Sequence, residues 1–416
     1  MIEIRRNKEH IKCQIKISGS KSLNNRLLML KKVLQIKTEL INESESDDTL
    51  NLKEALNQIE THGSATLNAQ HAGTNMRFLT AYLAAFPGNW IITGSDRMLE
   101  RPIGELVNAL RQLGADISYL NKEGFPPLKI KGQLLSKSKC TINSSISSQY
   151  ISALLLMSPL LQHGLELELT GEQVSKPYIQ MTLALLRDFG QNFEIENNKI
   201  CIQASKTPNN MPSQYFVESD WSSASYWYSL CAISNNAEIG IEQLFQNSLQ
   251  ADSVIKDILQ EFGIQTTAYQ NKIILKSGST HINKFDYNFM DCPDIAQTLA
   301  VVCLAKGVEG HLRGLSTLKI KETNRLLAMK TELEKFGAQV EIDENSMHIY
   351  PKDPSTLAQQ SFSINTYNDH RMALSFAPLA FICEAIYINH PEVVNKSYAR
   401  YWEDLKSAGF SVNLTP

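Results

Sequence analysis

Six short segments of this chain place a cation beside a residue of the kind that opens a helix. They are Ser20-Lys21-Ser22 with Arg26, Gly73-Thr74 with Arg77, Glu100-Arg101-Pro102, Ser175-Lys176-Pro177-Tyr178, Lys321-Glu322-Thr323-Asn324-Arg325 and Asn368-Asp369-His370-Arg371. The first-turn N–H groups of a helix have no internal partner and sit at the positive end of its dipole, so they attract negative charge. A Lys or Arg at the same place adds a full charge, and such a set of segments gathers anions. Ser20 to Ser22 follow the strand-like Ile11 to Ile17 and precede the helical Asn25 to Leu34. Thr74 reads as a cap with Arg77 a turn later, Ser175 as a cap with Pro177 early in its helix, and Lys321 to Arg325 as a first helical turn. Ser147-Ser148-Gln149 opens another helix with hydroxyls and an amide, suited to an oxygen-rich ligand.

A capped helix with one basic residue is common, so no single segment defines a site. Carboxylates separate an enzyme from a simple anion trap. Asp294 stands at a helix start and Glu322 between Lys321 and Arg325. Acids among cations stay ionised yet can exchange protons with a bound molecule. Each has a plainer use, Asp294 as an N-cap, Glu322 in a surface ion pair and His370 as a buried imidazole.

The elements that must position these residues show as a repeat. A helix with apolar residues at three- and four-residue spacing, then Gly, then an alternating strand recurs at Gly114, Gly190, Gly263, Gly337 and Gly409, with gaps of 76, 73, 74 and 72. A weaker copy lies at Leu52 to Gly63. Glycine suits each joint because a helix commonly stops at positive φ. Polar breaks followed by second strands, as at Asn198 to Ile202 and Asn271 to Leu275, predict hairpins. Five or six mixed α/β units in 416 residues predict two domains of about three units each.

The bulk properties agree with such a protein. A net charge of −3 argues against a nucleic-acid or membrane-surface partner. The apolar runs Ile151 to Leu161 and Met372 to Ile388 are interrupted and too short to span a bilayer, and Met1 to His10 lacks a signal-peptide core, so a cytoplasmic location is expected. The seven cysteines are scattered without metal spacing and read as reduced thiols.

Taken in order, Gly19-Ser20-Lys21-Ser22 with Arg26, Ala72-Gly73-Thr74 with Met76-Arg77, Arg97-Met98 with Glu100-Arg101-Pro102-Ile103, Ser147-Ser148-Gln149, Val174 to Tyr178, Asp220 with Ser222-Ser223-Ala224, Pro293-Asp294, Lys321-Glu322-Thr323 with Arg325, and Asn368 to Ala373 resemble the motifs of the EPSP synthase (3-phosphoshikimate 1-carboxyvinyltransferase) family over nearly the whole chain. The resemblance implies an enolpyruvyl transferase-like α/β fold of two domains, each of three βαβαββ repeats. One domain would be 1–19 plus 221–416, carrying Asp294, Glu322, Arg325, Arg371 and Lys396. The other would be 20–220, carrying Lys21, Arg26, Arg101, Ser147 to Gln149 and Ser175, with the active site in the cleft between them.

The implied reaction transfers the enolpyruvyl group of phosphoenolpyruvate to the 5-hydroxyl of shikimate 3-phosphate and releases phosphate, with no metal or organic cofactor and as a monomer. The resemblance assigns Lys21, Ser22, Arg26, Ser147, Ser148, Gln149, Ser175, Tyr178, Asp294, Thr317 and Lys321 to shikimate 3-phosphate. It assigns Lys21, Gly73, Arg101, Gln149, Arg325, Arg371 and Lys396 to phosphoenolpyruvate. Asp294 and Glu322 would move the protons, assisted by Lys21 and His370, and retention of Gly73 implies sensitivity to glyphosate. His71, Phe78, Thr317, Asn324, Ser18 and Ala399 depart from common family residues without removing a proposed charge. The UDP-N-acetylglucosamine enolpyruvyl transferase is the nearest rival, but its reactive Cys loop has no counterpart here. A non-catalytic polyanion-binding homologue would not require Asp294 and Glu322.

Overall fold

The computed structural model describes residues 1–204, 211–279 and 282–415. The chain divides into two compact units, Met1–Gly19 with Glu218–Pro416, and Ser20–Val217. The second boundary falls three residues before the 220/221 junction expected from the sequence, because the intervening residues bond into the first unit. Ser219 donates its hydroxyl to Ile17 O at 2.7 Å and its N–H to Gln243 O at 3.0 Å, and Glu218 accepts from Trp221 Nε1 at 2.8 Å. Each unit has its own apolar core.

Among the described residues, five four-stranded sheets share one plan, a parallel pair followed by an antiparallel pair on one edge. In the first unit, Lys284–Asn288 runs parallel to Glu309–Arg313, which pairs antiparallel with Ser346–Tyr350, and that strand with Gln339–Ile342. The other two sheets of this unit are assembled from distant segments. Ile11–Lys16 lies parallel to Ala237–Glu242, and Ile2–Arg6 lies between Ala385–Ile388 and Phe410–Leu414, so both chain ends close the same sheet. The second unit has two sheets of the same plan, built on Ser64–Asn68 with Gly88–Thr93 and on Lys139–Asn143 with Leu165–Thr170. Its third repeat shows, among the described residues, the parallel pair Glu39–Ile41 and Gln214–Phe216.

In each four-stranded sheet among the described residues, a helix buried on nearly all sides leads into the second strand of the parallel pair. Gly73–Ala85 buries every residue except Thr74, Trp221–Ile233 every residue except Ser222, and Ala296–Lys306 every residue except Lys306. Apolar residues around the whole circumference force such helices into the core, which leaves their N-terminal turns to present polar groups. A second helix precedes the antiparallel edge strand, and at its end Gly114, Gly190, Gly263, Gly337 and Gly409 all have φ between 71° and 102°. Gly63 is different in kind. It lacks positive φ and leads into Ser64–Asn68, the first strand of a sheet rather than a hairpin arm.

Two glycines separate backbone strain from crowding. A Cβ on Gly114 would meet no atom within 4 Å, so Gly114→Ala is expected to cost about 1–2 kcal/mol for the left-handed backbone alone. A Cβ on Gly132 would lie 1.9 Å from Phe86 O and 2.4 Å from Leu83 O. Urea melts of both variants should show Gly132→Ala as clearly the more destabilised.

Candidate functional site

In the second unit, four helices bring their N-terminal portions together. These are Lys21–Leu34, Gly73–Ala85, Ser148–Met157 and Lys176–Asp188. Asn25 Nδ2 donates to Asn75 Oδ1 at 3.0 Å, while Arg26 Nε donates to Thr182 Oγ1 at 2.8 Å and its Nη2 to Ser152 Oγ at 3.2 Å. Arg26 also donates to the carbonyls of Ser22 and Tyr178, and its guanidinium lies 5.4 Å from the Phe78 ring centre and 5.9 Å from that of Tyr178. Every one of these acceptors is neutral, and among the described residues no carboxylate pairs with Arg26. Burial therefore pushes its pKa down to about 10. A buried cation compensated only by dipoles creates a strong demand for an anion.

Arg101 adds to that demand. It is 7% exposed and its Nε has no hydrogen-bond partner among the described residues. Its guanidinium covers Gly73, the first residue of its helix, so that a Cβ there would come within 2.7 Å of Nη2. Arg77 is tied down instead, donating to Gly73 O at 3.3 Å and Pro102 O at 2.6 Å. Lys21 pairs with the buried Asp48 at 3.1 Å, a partner the sequence reading did not single out. Ser147 caps its helix by accepting from Gln149 N at 3.2 Å, which leaves Ser148 and the Gln149 amide in the first turn.

Two expected caps are absent. Thr74 is already inside its helix, with Ala72 at the cap position, and Ser175 stands at φ 52° with no capping bond from its side chain. His71 lies outside that helix, 2.9 Å from Ser95 Oγ through Nδ1.

In the first unit the same convergence is built with carboxylates. Arg325, 1% exposed, is held by Asp369 Oδ2 at 2.7 Å, Glu322 Oε2 at 2.9 Å and Asp294 Oδ1 at 3.0 Å. Lys396 reaches Glu322 Oε1 at 2.8 Å, Lys321 lies 3.5 Å from Asp294, and Arg371 lies 3.2 Å from Asp294 Oδ2 while donating to its carbonyl at 3.0 Å. Four cations thus face three carboxylates in one network. Burial opposes the charge on Asp294, but Arg371, Lys321 and Arg325 outweigh it and hold the carboxyl well below its usual range. Burial likewise opposes Arg325, and Asp369, Glu322 and Asp294 overcome it, so its pKa is raised.

The helix starts explain the placement. Asp369 caps His370–Phe376 by accepting from Arg371 N at 3.0 Å, and Asp220 caps Trp221–Ile233 by accepting from Ser223 N at 2.7 Å. Lys321 to Asn324 precede their helix rather than forming its first turn. Asn324 is the cap, accepting from Leu327 N at 3.3 Å, and Arg325 is the first helical residue. Asp294 sits in the short 3-10 turn Pro293–Ile295 that leads into Ala296–Lys306. Buried His370 has Nδ1 3.5 Å from Asp369 Oδ1, and the buried Thr317 hydroxyl has no hydrogen-bond partner among the described residues.

Asp252, like Asp48, is a buried acid that the sequence did not mark. Asp252 is 2% exposed, on the turn Ala251–Val254, and accepts from Ser222 Oγ. Gln250-Ala251-Asp252-Ser253 resembles an ordinary helix entry, so nothing local marks it. Burial first, and then the charge of Asp294, push its carboxyl up to about 7. Among the described residues no group of three or more His, Cys, Asp or Glu is placed to hold a metal ion, and no helix is long and apolar enough to cross a membrane.

Repeated βαβαββ elements that focus helix N-termini and cations, with carboxylates set among the cations in one of the two sets, define an α/β protein built to gather anions. Comparison with known proteins is specific. A model of the family described as EPSP synthase (3-phosphoshikimate 1-carboxyvinyltransferase) matches residues 6–405. The 3-phosphoshikimate 1-carboxyvinyltransferase of Bacteroides fragilis (strain YCH46) is 44% identical over 405 residues, covering 97% of each chain. That of Vibrio cholerae serotype O1 (strain M66-2) is 38% identical, covering 95% of this chain and 96% of the relative. A solved EPSP synthase from Acinetobacter baumannii shares the fold with a TM-score of 0.78, at 21% identity and full coverage of both chains. The chain belongs to the EPSP synthase family.

Asp252 supplies a stability test. Its folded-state pKa of about 7 lies above the ordinary 3.8, so the folded protein holds this proton more tightly than the unfolded chain, and the group lowers stability as pH rises from about 4 to about 7. Asp252→Asn removes that penalty. Its melting temperature should exceed the parent's at pH 8, with the difference shrinking towards pH 5.

Proposed function

We propose that the convergence of Asp294 and Glu322 with Lys321, Arg325, Arg371 and Lys396 serves the family's reaction. In it, the enolpyruvyl group of phosphoenolpyruvate passes to the 5-hydroxyl of shikimate 3-phosphate and phosphate is released, a step in making aromatic amino acids. The observation that carries this reading is the two carboxylates gripped by four cations. Binding polyanions needs the cations but not the acids.

Both substrates carry a phosphate and a carboxylate, whose mutual repulsion must be offset before the reacting atoms can meet. In this reading Ser22, Arg26, Ser147, Ser148, Gln149, Ser175, Tyr178, Asp294, Thr317 and Lys321 serve shikimate 3-phosphate. Arg101, Gln149, Arg325, Arg371, Lys396 and the backbone of Gly73 serve phosphoenolpyruvate, and Lys21 serves both. Arg26 acts largely through its field, since four of its N–H groups are already donated.

The proton steps follow from the electrostatics. Addition requires the hydroxyl to lose a proton and the methylene carbon of phosphoenolpyruvate to gain one. Elimination then takes a proton from that carbon as phosphate leaves. Asp294 receives the hydroxyl proton, and Glu322 gives and retrieves the proton at carbon, with Lys21 and His370 assisting.

Clamped as it is, Asp294 is a weak base. Substrate anions that draw Lys321 and Arg371 to themselves weaken the clamp, so basicity returns when the hydroxyl is present. A cytoplasmic monomer without nucleic-acid or membrane partners is part of the proposal, supported by the mild net charge and by family resemblance.

Phosphate release from a mixture of the two substrates tests the reading directly, and equal release with UDP-N-acetylglucosamine as acceptor would overturn it. Asp294→Ala and Arg101→Ala should each lower turnover by about two decades or more, the scale of a lost proton-transfer or electrostatic group. Gly73→Ala should raise the KM for phosphoenolpyruvate, because its methyl group displaces the Arg101 guanidinium. By the same proposal, glyphosate should inhibit the enzyme in competition with phosphoenolpyruvate.

A further inference from the structure

Asp252 has no part among the residues proposed for the reaction, although a buried carboxylate is costly and the fold keeps it within the network around Asp294. Its Oδ2 accepts the hydroxyl hydrogen of Ser222, and its Oδ1 is buried with no hydrogen-bond partner among the described residues. Ser222 is the one incompletely buried residue of its helix, and its oxygen lies 3.5 Å from Arg371 Nη2. Arg371 in turn contacts Asp294 through both the carboxylate and the carbonyl, and its Nη1 lies 3.4 Å from Tyr226 Oη. An unbroken line of contacts therefore runs from Asp252 through Ser222 to Arg371 and Asp294.

A serine hydroxyl has one hydrogen and two lone pairs. Donation of that hydrogen to Asp252 turns the lone pairs towards other donors, and Arg371 Nη2 is the donor at hand. We propose that Asp252 is a positioning residue for the transfer reaction, acting through Ser222 to orient the Arg371 guanidinium for phosphoenolpyruvate. Asp252 touches no substrate in this role. The inference rests on the reading of Arg371 as a phosphoenolpyruvate ligand.

The charge balance is consistent with a functional carboxylate rather than a structural one. A carboxylate kept for stability is held below its ordinary pKa by its partners, as Asp294 is by three cations. Asp252 has burial and Asp294 against it, Asp220 adding to them, with Arg371 and the Ser222 hydroxyl in its favour. Its removal is thus expected to help the fold and harm the reaction, a pair of effects that a merely structural role does not produce.

The test uses the full chain and steady-state phosphate release with Asp252→Asn, Ser222→Ala, the double variant and Arg371→Lys. Asp252→Asn and Ser222→Ala should each raise the KM for phosphoenolpyruvate about fivefold, the size of one lost hydrogen bond, and leave the KM for shikimate 3-phosphate nearly unchanged. The double variant should be no worse than the more affected single variant, because both break the same line. Melting temperatures at pH 8 should show Asp252→Asn at least as stable as the parent.

If Arg371→Lys raises the KM for phosphoenolpyruvate while the Asp252 and Ser222 variants do not, the positioning role is refuted and the reading of Arg371 survives. Multiplying effects in the double variant, or loss of stability in Asp252→Asn, would also refute it. If Arg371→Lys itself leaves that KM unchanged, the reading of Arg371 fails and this inference falls with it.

Discussion

Concentrated positive charge is the constraint that organises each unit. Helix N-termini converge and carry Lys and Arg on their first turns, and a protein interior cannot hold such charge without compensation. The two units solve the problem differently. The first answers with Asp294, Glu322 and Asp369, which hold Arg325 so firmly that its pKa rises. The second surrounds Arg26 with hydroxyls, carbonyls and aromatic faces, and its pKa falls. Neutral dipoles leave the demand for an anion open, whereas carboxylates meet it and bring proton chemistry with them.

The architecture follows from putting helix starts together. In each four-stranded sheet among the described residues the helix that leads into the second strand of the parallel pair is apolar on nearly all sides and can only be a core helix. Its side chains pack inward, so the N-terminal turn is where polar residues gather. The caps are then chosen to suit the charge of the site. Asp220 and Asp369 cap with carboxylates in the cation-rich first unit, while Ser147 caps with a hydroxyl in the second. Capping and charge compensation are thereby combined in Asp369, which serves Arg371 N and the Arg325 guanidinium at once.

The repeat was legible because its punctuation is chemical. Only glycine tolerates φ near +70° to +100° at no steric cost, so five such joints at nearly even spacing stood out from the sequence, and all five adopt that backbone. Gly63 has the residue without the backbone requirement, and it opens a different element. Cap assignments were less reliable. Thr74 and Ser175 are of capping type, yet the backbone starts one helix before Thr74 and holds Ser175 in the left-handed region. Lys321 to Asn324 fell just outside their helix because Asn324 takes the cap position.

What the sequence determined by itself was the inventory. It held the repeat of helix, glycine and strand, the cations at helix entries, Asp294 and Glu322 as acids among them, and the order of motifs that marks the family. Those are local properties, set by residue type and by distances along the chain. Which polar groups meet was decided by tertiary structure alone, as with Asp369 against Arg325 across 44 positions, Asp48 against Lys21, and Asp252 against Ser222. No local pattern marks such partners, because a carboxylate's role depends on what burial strips from it and on which cation the fold brings within about 3 Å.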